Sequence, residues 1–263
     1  VAEAWSRQGG SGGLVVVCVG GSVETCGEHL DRDRLTLPVR ALEFMQEMEQ
    51  TGTPVVQVLK NGRPLELTWE QEHIPAILEC WYPGEKGGRA IAEVLFGKVS
   101  PSGRLPMSFP KSVGQVPCHY NRLPGGGKRY VETDWEPLYP FGYGLTYTSF
   151  SYSDLEIEGD GIAAQDVENG AKVAVSFSVK NTGKAAGAEV AQLYVRDLCA
   201  SSVKPLRELA GCEKVHLKPG ESSRVTLYLE SRQLRTLNMR YEWQVEPGEF
   251  RVMVGDNAAD VRR

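Results

Sequence analysis

The chain carries LVVVCVGG at residues 14–21 and TCGEHLDR at residues 25–32. The first stretch is a continuous apolar, β-branched run, which predicts a strand covered on both faces, as in a parallel sheet. Open α/β sheets place their ligand-handling groups on loops at the carboxyl ends of such strands. The second stretch therefore puts the carboxyl group of Glu28 where a proton donor is expected, although its acids and arginines also fit a solvated, ion-paired loop.

Strand-like and helix-like segments alternate through residues 1–115. A helical pattern covers 37–50 and ends at Thr51-Gly52, a strand is expected over 54–59, a third apolar run covers 74–81, and a second helix is expected over 84–96. This alternation predicts an α/β sandwich, that is, a mainly parallel sheet flanked by helices on both faces.

The composition changes after residue 100. Many prolines, several aromatic residues and the run Gly125-Gly126-Gly127 lie between residues 100 and 147. This composition does not form long regular elements, and its aromatic content does not fit a disordered linker. We assign residues 116–149 to an ordered connecting segment that wraps over the first domain, with mobility confined to its tip at the three glycines.

Residues 150–263 have the pattern of an all-β domain. Polar and apolar residues alternate over 173–179 and 189–195, and Asn181-Thr182-Gly183 between them predicts a turn. Short strands separated by such turns predict a sandwich of about seven strands, immunoglobulin-like or fibronectin type III-like. The sandwich offers no obvious aromatic platform for a polysaccharide, since core packing is the expected role of the three aromatic residues considered, Tyr194, Tyr228 and Trp243.

Composition and charge exclude several classes of protein. The net charge of -5, without a basic stripe, argues against a nucleic-acid partner. No apolar run approaches the ~20 residues of a membrane span. The chain begins in helix-like sequence, Val1 to Trp5, with neither an initiator Met nor a signal peptide, which indicates part of a larger protein.

The six cysteines show no C-x-x-C spacing, so a disulfide framework or a zinc site is not expected. Cys18 and Cys80 lie in apolar stretches that suit buried thiols. This cysteine usage favours a cytoplasmic compartment over a periplasmic or secreted one.

Other motifs indicate few sites. His73, His119 and His216 lack ligand spacing, so no metal is expected, and Gly20-Gly21 lacks the rest of a dinucleotide fingerprint, so no cofactor is expected. Asn61-Gly62-Arg63-Pro64 is typical of a tight turn. The aromatic, glycine-rich stretch over residues 81–88 fits a sugar-facing loop and a packed helix entry equally well.

Several motifs in fixed order resemble the C-terminal portion of glycoside hydrolase family 3, the family of β-glucosidases and β-xylosidases. They run from near residue 14 to residue 255 and cover almost the whole chain. The matching stretches are Cys26-Gly27-Glu28 with Asp31-Arg32 and Leu35-Thr36-Leu37-Pro38, Asn61-Gly62-Arg63-Pro64, Trp81-Tyr82-Pro83-Gly84-Glu85 with Gly87-Gly88, Leu95-Phe96-Gly97 with residues 101–106, residues 140–147, and Glu246-Pro247-Gly248-Glu249-Phe250.

The resemblance implies the α/β sandwich domain of the family over residues 1–115, followed, after the connecting segment, by its fibronectin type III-like domain over 150–263. It also implies that a (β/α)8 barrel carrying the nucleophile belongs to the same protein or to a separate chain. Glu28 then corresponds to the catalytic acid/base, while His29, Asp31 and Arg32 are weaker candidates for substrate contacts. His29 stands where relatives usually carry Gly.

The function that the resemblance implies is the C-terminal part of a retaining exo-β-glycosidase acting on a terminal β-linked glucose or xylose. Without the barrel, this chain is expected to be inactive. Two alternatives stay open: a non-catalytic carbohydrate-binding or subunit-interaction module, and a purely structural domain pair. The sequence leaves the sugar, the linkage and the formation of a homo-oligomer undetermined.

Overall fold

The computed structural model describes residues 13–126, 130–159 and 161–262. Of residue 262, it describes only the backbone. The predicted helical stretch from Val1 to Trp5 and the last glycine of the predicted mobile tip, Gly127, lie outside the described residues. The described chain divides into two compact units. Residues 13–99, 108–118 and 130–139 belong to the first unit, and the other described residues belong to the second.

The first unit is built on a parallel sheet of three strands among its described residues. The strands are β1 (Val15–Gly20), β2 (Val55–Lys60) and β3 (Ala76–Glu79), in the order β1-β2-β3. Their helices are α1 (Val39–Gln50), α2 (Thr68–His73) and α3 (Gly87–Leu95). The alternation of strands and helices predicted from the sequence is therefore confirmed.

The central strand β2 is buried through Val55, Val56, Gln57, Val58 and Leu59, as its continuous apolar pattern requires. Strand β1 differs from the prediction that it is covered on both faces. Val17 is buried, but Val16 and Cys18 on the opposite face are exposed, because β1 is the edge strand of the described sheet and nothing described covers that face. The expectation of a buried Cys18 is wrong for the same reason, whereas Cys80 is half-buried.

The second unit is an antiparallel sandwich. One sheet joins β4 (Phe150–Glu158), β5 (Val173–Asn181) and β8 (Ser222–Leu229), and the other joins β6 (Gly187–Asp197), β7 (Glu208–Leu217), β11 (Phe250–Gly255) and β12 (Val261–Arg262). Short helices α4 (Ala164–Glu168) and α5 (Ser231–Leu234) and a separate hairpin of β9 (Thr236–Leu237) and β10 (Trp243–Gln244) complete the described elements. The two sheets together hold the predicted seven strands.

The core of the sandwich follows from the alternation of its strands. In β5, Val173, Val175, Phe177 and Val179 are buried, while the residues between them face outward. They pack against apolar residues of the facing sheet, including Leu193, and form one hydrophobic core.

The proline-rich stretch contributes to both units. Phe109 forms a backbone bridge with Tyr139 in the first unit, and the Tyr120 ring stacks on Phe141 at 4.2 Å in the second. Residues 116–149 as a separate segment stay a prediction. Among the described residues, no helix combines the length and apolarity that a membrane crossing requires.

Candidate functional site

The candidate site lies at the carboxyl edge of the parallel sheet of the first unit, where the loops after β1, β2 and β3 meet. We call residues 22–32 the acid loop. At its entry, Gly20 has φ 151° and its missing side chain would clash with the backbone of Lys60, so only glycine fits there. The amide of Gly21 donates to the carbonyl of Lys60 at 3.0 Å, which holds the start of the acid loop against the end of β2.

The acid loop begins with a compact hydrogen-bonded turn. The Ser22 amide donates to Oγ1 of Thr25 at 2.9 Å, and the amides of Thr25 and Cys26 donate back to the Ser22 carbonyl at 3.0 and 2.9 Å. Ser and Thr side chains favour such local bonds over helix or strand, which accounts for the irregular backbone of this segment. Cys26, at the end of this turn, is half-buried, and its Sγ lies 3.8 Å from Oγ1 of Thr25.

Arg63, in the turn after β2, ties down the acid loop. One of its guanidinium nitrogens, Nη2, donates to the Thr25 carbonyl at 3.3 Å and lies 3.7 Å from Sγ of Cys26. The turn itself is closed by Asn61, which donates from Nδ2 to the Arg63 carbonyl at 2.5 Å. The stretch that the sequence identified as a tight turn thus also positions the loop before it.

Tyr82, in the loop after β3, reaches the same point. A side chain at Gly62 would come within 2.6 Å of the Tyr82 ring, so glycine lets that ring lie over the turn after β2. A hydrogen bond with Tyr82 is the largest of the effects that lower the pKa of the Cys26 thiol, and Thr25 and the charge of Arg63 add to it. Three loops therefore converge on Cys26.

Beyond this anchor, Glu28 extends into solvent. The side chains of Glu28 and His29 are both 91% exposed, and Nε2 of His29 lies 3.9 Å from Oε1 of Glu28. His29 has φ 64°, in the left-handed region that favours glycine, so glycine would adopt this backbone conformation more readily than His. The arrangement presents a carboxylate at the rim of the sheet on a loop that is fixed at its base.

Asp31 and Arg32, the two other residues that the sequence suggests for substrate contacts, lie further along the acid loop. Asp31 is exposed and Arg32 is half-buried. Neither forms a salt bridge with any residue within 13–126, 130–159 or 161–262. The contacts that hold the base of the loop come instead from Arg63 and Tyr82.

A second carboxyl lies behind the loops, at the end of β3. Oε1 of Glu79 accepts the amide of Trp81 at 2.8 Å, and burial raises the pKa of Glu79 to about 7. Hydrogen bonds from the Trp81 amide and from Asn61 lower the pKa, but by less than burial raises it. Glu79 is therefore a half-buried acid, with Oε2 withdrawn from solvent, that takes up a proton near neutral pH.

Sequence reasoning did not identify Arg63, Tyr82 and Glu79 as residues that support the site. Arg63 and Tyr82 belong to motifs that had been noted, and Trp81 packs edge-on against Phe109 at 5.9 Å, as a packed helix entry requires. The stretch over residues 81–88 thus combines packing through Trp81 with contact to the acid loop through Tyr82. No three His, Cys, Asp or Glu side chains of the described chain are grouped so that they could hold a metal ion.

A parallel α/β unit with an acidic loop at its carboxyl edge, together with a fibronectin type III-like sandwich, is the domain pair that the motifs of the sequence predict for a glycoside hydrolase. Comparison with known families identifies both domains. Residues 9–147 match the Glycosyl hydrolase family 3 C-terminal domain, and residues 189–258 match a Fibronectin type III-like domain. The chain belongs to glycoside hydrolase family 3.

Relatives with known functions are glycosidases. The chain is 41% identical over 261 residues to a periplasmic beta-glucosidase of Salmonella typhimurium. The alignment covers 95% of this chain and 34% of that protein. It is 46% identical over 245 residues to a beta-xylosidase of Formosa agariphila. That alignment covers 92% of this chain and 33% of the Formosa protein. The chain therefore spans about a third of the length of these relatives.

Solved structures agree with the fold. The crystal structure of a beta-glucosidase from Listeria innocua in complex with glucose superposes with a TM-score of 0.88 at 36% identity. The alignment covers 99% of this chain and 37% of the Listeria chain. The predicted α/β sandwich and fibronectin type III-like domain are thus confirmed.

Proposed function

We propose that this chain is the C-terminal part of a retaining exo-β-glycosidase, and that Glu28 is its catalytic acid/base. The observation that carries the proposal is the exposed Glu28 side chain on a loop anchored at the carboxyl edge of the parallel sheet. A proton donor has to reach the glycosidic oxygen of a substrate held elsewhere, and an exposed carboxyl on a loop that is fixed at its base meets that requirement.

The retaining mechanism needs two carboxyl groups about 5–5.5 Å apart, one as nucleophile and one as acid/base. Glu28 supplies the second group. The nucleophile comes from a (β/α)8 barrel in the portion that the longer relatives have and this chain does not span. Glu28 first protonates the leaving oxygen and then, as a carboxylate, removes a proton from the water that hydrolyses the glycosyl-enzyme.

The substrate of the complete enzyme is a β-glucoside or a β-xyloside. This part of the proposal is supported by the names of the relatives, a beta-glucosidase and a beta-xylosidase. His29 lies beside Glu28 on the same loop, and His29, Asp31 and Arg32 are secondary candidates for contacts to the substrate.

The proposal is tested by joining residues 1–263 to a (β/α)8 barrel of a family member and comparing Glu28→Gln with the parent. The variant loses about 10²–10⁴-fold in kcat/KM on an alkyl or phenyl β-glycoside, since those leaving groups need a proton. It loses much less on a 2,4-dinitrophenyl β-glycoside, whose leaving group departs without one. Azide restores turnover of the activated substrate by replacing the base-assisted attack of water.

Glu24→Gln is the matched control, because Glu24 is an exposed acid of the same acid loop. We expect this variant to retain full activity on both substrates. Equal losses on both substrates for Glu28→Gln contradict the assignment of the acid/base. The isolated 263-residue chain hydrolyses neither substrate, and turnover by pure chain contradicts the need for the barrel.

A further inference from the structure

The second unit carries a groove that the proposed function does not use. It has a volume of about 450 Å³ and lies between β6, β7, α5 and the β9–β10 hairpin. Its lining includes Lys204, Glu208, Arg232, Arg235 and Trp243. We call it the tryptophan groove.

Core packing was the expectation for Trp243 and Tyr228, but they are 57% and 53% exposed, so that expectation is wrong for both and right only for the fully buried Tyr194.

The tryptophan ring is held in place by its surroundings. The guanidinium of Arg235 lies 4.7 Å from the centre of the Trp243 ring, over one face, and more than half of the residue stays exposed. Within the hairpin, Trp243 pairs with Leu237. Two residues after Trp243, the amide of Val245 donates to Oε1 of Glu168 at 2.8 Å. An exposed indole on a fixed backbone is an aromatic surface that loses little freedom on binding.

The backbone of Arg235 is fixed in the same way. Nζ of Lys204 donates to the Arg235 carbonyl at 2.9 Å, and the Arg235 amide donates to the Ser231 carbonyl at 2.8 Å. The next residue, Thr236, is buried and bonds through its hydroxyl to Ser202 at 2.8 Å. The groove is thus formed before any ligand arrives.

The charges around the groove favour an anion. Lys204 is partly neutralised by Glu208 at 3.7 Å, and Nε of Arg232 lies 4.0 Å from Glu230, which also binds Lys172 at 2.6 Å. Arg235, in contrast, forms no salt bridge with any residue of the described chain. Its guanidinium is therefore available to a carboxylate, the group that its planar fork of donors matches.

We propose that the tryptophan groove binds a uronic-acid-bearing glycan. A pyranose ring packs its C–H face on the exposed side of Trp243, because the electron-rich face of an aromatic ring attracts such polarised hydrogens. The uronate carboxylate binds the guanidinium of Arg235. This site lies within the second unit and does not depend on the assignment of Glu28.

The test is calorimetric titration of the 263-residue chain with xylotetraose carrying one glucuronic acid substituent, with unsubstituted xylotetraose, and with polyglutamate. We expect binding of the acidic oligosaccharide and at least tenfold weaker binding of the other two. Trp243→Ala and Arg235→Gln each weaken binding at least tenfold. Binding of the acidic oligosaccharide also weakens as the salt concentration rises, because the ion pair is screened.

Tyr228→Ala is the matched control. Tyr228 is an equally exposed aromatic residue with a cation, Nζ of Lys172, 5.9 Å from its ring centre, but it lies on β8 and does not line the groove. This variant retains full affinity, and circular dichroism verifies that all three variants are folded. Absence of binding, equal binding of neutral xylotetraose or of polyglutamate, or an equal loss in Tyr228→Ala would overturn the proposal.

Discussion

At the scale of single residues, two glutamates of the first unit show that solvent exposure decides which role a carboxyl group can have. Glu28 is exposed on the acid loop, whereas Glu79 is half-buried at the end of β3, with its Oε2 atom withdrawn from solvent. Desolvation penalises the charged form of Glu79, so its pKa rises to about 7. Exposure suits Glu28 to exchange a proton with a ligand, and burial makes Glu79 a determinant of stability.

The raised pKa of Glu79 predicts that the free energy of unfolding depends on pH. The folded state holds this proton up to about pH 7, while the unfolded chain releases it near the ordinary value of 4.5. The stabilising contribution is therefore complete below pH 4.5 and is lost as the pH rises through 7. Glu79→Gln stays neutral, so we expect it to be more stable than the parent by about 1–3 kcal/mol at pH 8 and similar at pH 4.5.

Urea denaturation at the two pH values measures this difference. Glu24→Gln serves as the control for the substitution itself, since Glu24 is an exposed acid of the same unit. A difference between Glu79→Gln and the parent that is the same at pH 4.5 and pH 8 contradicts the prediction.

At the scale of elements, the acid loop depends on contacts from the loops that follow β2 and β3. Ser22 and Thr25 close its first turn. Among the described residues, the loop is joined to the end of β2 by the Gly21–Lys60 hydrogen bond and to the turn after β2 by Arg63. The guanidinium binds both a carbonyl and a thiol with one nitrogen. We therefore treat Arg63 as a positioning residue for Glu28.

Arg63→Ala is expected to loosen the acid loop without unfolding the sheet. Hydrogen exchange at the amides of residues 25–30 becomes at least several-fold faster, because the loop loses its contact to the turn after β2. Arg63→Lys keeps the charge but not the guanidinium geometry, so it restores only part of the protection. Hydrogen exchange with mass spectrometry measures both variants.

Arg34→Ala is the control for this prediction, because Arg34 is an exposed arginine just beyond the acid loop. Its exchange profile over residues 25–30 matches the parent. Unchanged exchange in Arg63→Ala would show that the turn from Ser22 to Cys26 is sufficient to hold the loop. In the barrel-fused enzyme, the loosened loop lowers kcat with little change in KM.

At the scale of the whole molecule, motifs shared with the family also stabilise the second unit. Nη2 of Arg104 lies 2.6 Å from Oε2 of Glu189, and the Tyr152 hydroxyl donates to the other carboxylate oxygen at 3.0 Å. Arg104 also binds the carbonyl of Gly144. The stretches over residues 101–106 and 140–147 are thus joined to β6 through one buried ion pair.

Removal of one partner of this pair is expected to be strongly destabilising. Arg104→Met leaves a buried carboxylate without its charge partner and costs about 3–5 kcal/mol of unfolding free energy. The double variant with Glu189→Leu recovers much of that loss, since no buried charge remains. Urea denaturation of the full chain, followed by circular dichroism of its β-sandwich signal, measures both.

The exposed pair of Arg224 and Glu156 in the same unit provides the comparison. Arg224→Met costs less than about 1 kcal/mol, because solvent already screens that pair. Similar losses in Arg104→Met and Arg224→Met would contradict a special role for the buried pair.

Local pattern was sufficient to predict most elements of the chain. The alternation over residues 173–179 predicts β5 with its buried face, and the apolar run at 54–59 predicts the buried β2. The pattern at 14–19 predicts a strand as well, but not that Val16 is exposed at a sheet edge. Exposure depends on which elements cover a strand, and a pattern within the strand does not contain that information.

The sequence by itself determined the two domain types, their order and the family, because hydrophobic period, turn residues and ordered motifs are local properties of the chain. The tertiary structure decided which groups meet: Arg63 with the acid loop, Arg104 with Glu189, and Arg235 with Trp243. It also decided that Glu79 is half-buried and Glu28 is exposed. The physical reason is that contact and desolvation arise between segments distant in sequence, whereas propensity and period act between near neighbours.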